Sequence, residues 1–137
     1  MNVKNNFYQK INPLYKQIKY ITKMKEFMMI FRMDPTGGYD PTPEQMHESI
    51  QQWQSWIGGI AAQDKFVSTN QLGDNGKTVK PGGIITDGPY AEIKEIVGGY
   101  IIVKAEDLEE AIKLTEGCPM FYIGGHVEVR EIMEINL

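Results

Sequence analysis

Apolar residues crowd the span from Lys25 to Met33, where Phe27, Met28, Met29, Ile30, Phe31 and Met33 stand almost unbroken. A short run of this density predicts a central strand with both faces buried. The turn formers Asp34-Pro35-Thr36-Gly37-Gly38-Tyr39-Asp40-Pro41 end it and predict a loop, whose two glycines suit a mobile lid over a cleft. Thr42-Pro43-Glu44-Gln45 then reads as a capping box. The Thr42 hydroxyl accepts from a first-turn N–H, Pro43 stands where no donor is needed, and Gln45 reaches back. Behind it Met46, Ile50, Trp53, Ile57 and Ile60 recur at intervals of three and four, an apolar stripe running to about Ala62 that predicts a helix lying on a sheet.

Residues Phe66 to Leu72 are β-type in partial alternation, and Gly73-Asp74-Asn75-Gly76 offers positive φ for a tight reversal into a strand near Lys77 to Lys80, so a hairpin is expected after the helix. Ile84-Ile85-Thr86 is a short extended stretch leading into a turn at Asp87-Gly88-Pro89, then a brief helical segment, then a buried strand at Tyr100-Ile101-Ile102-Val103. Asp107 opens a second long helix with Leu108, Ala111, Ile112 and Leu114 inward, and Gly117 and Pro119 stop it. Alternation of Val127 and Val129 with Glu128 and Arg130 predicts a last strand from about His126 to Met133. The order β-α-β-β-α-β with an extra short helix predicts an α+β, ferredoxin-like sandwich: an antiparallel sheet with both helices on one face.

Such a sheet leaves its other face in need of cover. Phe27, Met29, Phe31, Tyr100 and Ile102 are expected there, and a homodimer through that open sheet face buries them, closing a dimeric α/β barrel.

Composition narrows the class. The 137 residues suit one domain, hydrophobic content is 42% and charged content 23%. No apolar run reaches the roughly 18 residues needed to span a bilayer, so no membrane association is expected. The single cysteine, Cys118, excludes an internal disulfide and has no partner at zinc-ligand spacing, which points to no metal and to a cytoplasmic setting. A net charge of -4 without a clustered basic surface speaks against nucleic acid. The glycines lack a nucleotide-binding pattern, and no cofactor is implied.

Charge also divides the chain. Lys4, Lys10, Lys16, Lys19 and Lys23 give residues 1–23 a charge of +5 with no acid, leaving 9 basic and 18 acidic residues, or -9, in residues 24–137. The first segment therefore reads as a basic extension before the domain. It lacks the apolar core of a signal peptide, and it either lies outside the fold proper or forms a short amphipathic helix through Leu14, Ile18 and Ile21 that docks on the acidic body or a partner.

Thr42-Pro43-Glu44, Asp87-Gly88-Pro89-Tyr90-Ala91-Glu92-Ile93-Lys94-Glu95, Gly98-Gly99-Tyr100, Asp107-Leu108-Glu109-Glu110-Ala111 and Val127-Glu128-Val129-Arg130 together resemble the DGPF subgroup of the YCII-related proteins over roughly residues 24–137. The resemblance implies a dimeric α/β barrel and family members of mostly unproven function, some associated with sigma factors. Tyr90 stands where the subgroup has Phe, and Met120-Phe121-Tyr122-Ile123 is more apolar than the family's pattern, which would reshape a pocket. The histidine that related proteins carry on the first helix aligns nearer Gln45 than His47.

Asp87 leads the chemical candidates, because Gly88 lets the backbone turn and Pro89 fixes φ at a helix start, aiming one carboxylate. It reads equally as a general base or as a helix cap. His47, in the first turns of the first helix, is the candidate acid, and with Asp87 makes up the catalytic pair. Arg32, Tyr90, Lys94 and His126 are candidate ligand contacts, Arg32 and Lys94 as anion-binding cations and His126 at the start of the last strand. Two functions follow. One is a cofactor-independent enzyme doing acid/base chemistry on a small polar metabolite in a dimer-bounded cleft. The other is a noncatalytic ligand-binding or regulatory module of sigma-factor systems.

Overall fold

A computed structural model of the chain describes residues 24–88 and 95–136; the basic extension, and the helical segment expected after Pro89, lie outside the described residues. Strand β1 (Lys25–Met33) leads through a loop to helix α1 (Pro43–Ala61), then β2 (Phe66–Gln71), β3 (Lys77–Lys80), β4 (Ile84–Asp87), β5 (Ile96–Ala105), helix α2 (Leu108–Lys113), a 3-10 turn at Pro119–Ile123 and β6 (His126–Glu131). The main sheet has the order β2-β5-β1-β6, and all three pairings are antiparallel. With the helices on one face, this is the ferredoxin-like α+β arrangement.

Helix α1 starts where its cap requires. The Gln45 N–H donates to Thr42 Oγ1 at 3.1 Å, and the Thr42 N–H donates to Gln45 Oε1 at 2.9 Å, which satisfies two donors that the helix leaves open. Trp53, Ile57 and Ile60 bring the second half of the stripe onto the sheet, whereas Met46 and Ile50 remain half exposed. Trp53 and Trp56 sit edge-on to Phe31 and to each other, and the Trp56 indole N–H donates to the Leu114 carbonyl at 3.1 Å, tying α1 to the end of α2.

β1 corrects the expected burial. It is covered on one face: Phe27, Met29 and Phe31 are buried against the helices with Ile101, Val103, Ala105, Ile60, Ala111 and Leu114, while Met28 and Ile30 face the opposite side. The open face therefore carries Met28, Ile30, Tyr100 and Ile102, in register as Met28↔Ile102 and Ile30↔Tyr100. Of the five residues expected there, only Tyr100 and Ile102 belong to it. Each large side chain on the buried face contributes about 1.5–3 kcal/mol by leaving water.

The hairpin is also placed differently. β2 pairs with β5 and not with β3; β3 pairs with β4 across Pro81-Gly82-Gly83 as a separate two-stranded ribbon. In this three-residue loop the Gly83 N–H donates to the Lys80 carbonyl at 3.2 Å, closing a turn with Pro81 and Gly82 at its centre, and Gly82 and Gly83 hold φ of 87° and 78°, which glycine adopts without strain. Gly73 and Gly76 are not among the glycines with positive φ, so that stretch connects two sheets and closes no hairpin. Helix α2 is short rather than long, with Ala111 and Leu114 buried but Leu108 and Ile112 about half exposed. Among the described residues no helix is long and apolar enough to cross a membrane.

Candidate functional site

The open face ends in a group of charged residues where β1 and β6 meet the start of β5. The register shifts between Phe31 and Arg32, so that Phe31 opposes Gly99 while Arg32 opposes Val97 on one side and His126 on the other. The extra residue, Gly98, lies on β5, and β1 keeps its alternation. Arg32 therefore stands on the open face with Met28 and Ile30, where its Nη2 lies 3.5 Å from Glu128 Oε2. Directly opposed residues on one face of a sheet bring their Cβ atoms to about 5 Å, so Arg32 and His126 are immediate neighbours.

Glu95 completes the group. It sits just before β5, two residues from Val97, and reaches past the end of β1 to place Oε1 2.8 Å from His126 Nδ1. The carboxylate fixes the imidazole: with a proton on Nδ1 donated to Glu95, Nε2 of the neutral ring is left as an acceptor. His126 is 69% exposed and Glu95 36%, so the contact is open to solvent and adds little to stability; its consequence is orientation. On the same face the Asn70 amide donates to the Tyr100 hydroxyl at 3.0 Å, and Met28, Ile30 and Ile102 supply an apolar floor.

The candidates from sequence divide accordingly. Arg32 and His126 are brought together. Asp87 ends β4 with its carboxylate fully exposed, 3.6 Å from Lys77 Nζ across the ribbon. His47 lies on the exposed side of α1, its Nε2 3.3 Å from the Gln51 amide nitrogen. No hydrogen bond or ion pair joins Asp87 to His47 among the described residues. Tyr90 and Lys94 lie outside the described residues, in the segment that enters the group at Glu95. Glu95 was legible only as part of a polar run, because its partner is thirty-one residues away and no local spacing relates them. Gly99 is required by close approach: a Cβ there would stand 2.8 Å from the Asn70 carbonyl oxygen.

The model of the YCII-related domain matches residues 27–136, from the first buried side chain of β1 to the end of the described chain. The protein belongs to the YCII-related family. A comparison with curated proteins gave no match. In this YCII-related chain the matched region contains the main sheet apart from Lys25 and Glu26 at the start of β1, both helices, and each of Arg32, Glu95, His126 and Glu128.

Proposed function

We propose that this YCII-related protein is a cofactor-independent enzyme of the DGPF subgroup, cytoplasmic and homodimeric through its open sheet face, which moves a proton on a small anionic metabolite. One observation carries the reading: the 2.8 Å contact of Glu95 Oε1 with His126 Nδ1, beside Arg32. His126 Nε2 takes a proton from the substrate carbon or hydroxyl, Glu95 holds the ring and stabilises the imidazolium, and Arg32 binds the substrate's carboxylate or phosphate. The proton returns from His126 to the product, so the cycle balances without a redox partner.

Several further features support this reading. The subgroup is favoured by the turn after β4, where Gly88 holds φ of 71°, and by the crowding at Gly99. The free, buried Cys118 suits a reducing compartment. Asp87 stands eight residues before Glu95 in the chain and remains the alternative base, whereas among the described residues no hydrogen bond or ion pair joins His47 to Arg32, Glu95 or His126.

A panel of small carboxylates, phosphates and lactones tests the proposal by thermal shift, followed by NMR of C–H exchange with solvent deuterium. Ligand stabilisation is expected to vanish in Arg32→Gln, and exchange to vanish in His126→Gln with binding retained. Exchange that survives in His126→Gln and disappears in Asp87→Asn would move the base to Asp87. Binding without any exchange would leave a noncatalytic ligand-binding module.

A further inference from the structure

The helix layer, which holds most of the domain's negative charge, carries a cleft on the side of the molecule away from the open sheet face. Two grooves of ≈ 430 Å³ and ≈ 550 Å³ share Ser55 and Trp56 and adjoin as a channel along α1, from Gln63 just past its C-terminal end to Glu48 near its start. The opposite wall is α2 and the turn after it, with Glu110 and Glu116. At ~1.5 Å per residue the channel runs ~22 Å along the helix. Residues 43–65 hold three carboxylates and one lysine, and residues 106–116 hold five carboxylates and one lysine, so these two segments carry -6 of the -9 on residues 24–137; the grooves themselves are lined by Glu48, Glu110 and Glu116 together with Lys65 and Lys113.

Inside the channel, Lys65 Nζ lies 2.8 Å from Glu110 Oε1, yet that buried oxygen receives no aligned hydrogen bond. Lys65 thus offsets one charge and leaves an acceptor for a second donor. The mouth of the channel opens at the end of the sheet where β1 begins. Lys25 pairs with Ala105, and the Lys104 N–H donates to the Lys65 carbonyl at 2.7 Å, so Met24 and the channel mouth are two strand spacings apart, about 10 Å.

We infer that this cleft is the docking site of the chain's own basic segment, residues 1–23. The segment has five lysines, no acid, and Leu14 and Ile18 at helical spacing to lie against Trp56. About three extended residues bridge the distance from Met24, and the rest of the segment exceeds the channel in length even at ~1.5 Å per residue. Charge of opposite sign on the two partners draws them together at low salt.

Zero-length carbodiimide coupling of the full chain, mapped by mass spectrometry on a mixture of unlabelled and nitrogen-15 protein, tests the docking. The expected products join Lys16, Lys19 or Lys23 to Glu48, Glu110 or Glu116 within one isotopic copy. Their yield falls about tenfold in Leu14→Asp/Ile18→Asp, which keeps every lysine, and in about 0.5 M salt. Coupling confined to acids outside the cleft overturns the inference, as do mixed-isotope products alone or a yield indifferent to the two substitutions. The double variant changes no residue of the domain, so a retained thermal unfolding midpoint for that domain separates lost docking from lost folding.

Discussion

Cys118 shows how one residue is governed by its surroundings. It is fully buried in the core, and burial pushes its thiol up from the ordinary value of 9.0 to about 11, with a backbone hydrogen bond at Met120 pulling weakly the other way. The thiolate is the reactive form, so native protein at pH 8 is expected to react with an alkylating reagent only as fast as it unfolds; rapid labelling in native buffer would contradict this. The same shift fixes a pH dependence. The folded state holds the thiol proton more tightly than the unfolded chain, so this contribution to stability is complete below about 9 and is lost as pH rises to about 11. Urea midpoints measured across that window should fall more steeply for the native sequence than for Cys118→Ala, and equal slopes would refute the assignment.

At the scale of elements, the capping box sets the start of α1, and Thr42→Ala is expected to cost about 1 kcal/mol, seen as a lower melting temperature with unchanged helix content after folding. A tighter constraint acts on β5. Gly99→Ala would press a methyl group against the Asn70 carbonyl, separating β2 from β5, and should cost about 1–3 kcal/mol. These two positions also show what was legible in the sequence. The box is local, so Thr42 and Gln45 could be read directly, and β1 was bounded correctly from Lys25 to Met33 by its density. That same density hid which parity of β1 faces the helices, because both parities are apolar. The β2–β3 hairpin was misread because two glycine-rich turns compete, and the choice depends on β2 finding β5 some thirty residues away. Arg32 and His126 were each visible as candidates, but their adjacency is a property of the β1–β6 register, and Glu95 joins them only through the fold.

The whole molecule poses a problem that no single element solves. Its helices cover one face of the sheet, leaving Met28, Ile30, Tyr100 and Ile102 in the middle of the other. Around them Glu26, Lys104, Glu128 and Arg130 lie on the same side, since Glu26 opposes Lys104, Arg130 opposes Met28, and Glu128 opposes Ile30. Both signs of charge around an apolar centre suit a two-fold contact, in which each residue meets a different residue of the second copy and unlike charges can pair. Such a dimer would bring a second copy over Arg32 and His126, excluding water from one side of the site and strengthening the electrostatic contacts there. Ile30→Asp places a carboxylate in that centre without entering the helix-facing core. The expected result is at least about a tenfold weaker dimer by sedimentation equilibrium, with the far-ultraviolet spectrum unchanged. If the native chain sediments as a monomer at concentrations where the variant does also, the open face is covered by something other than a second copy, and the site at Arg32 and His126 faces water or a different partner.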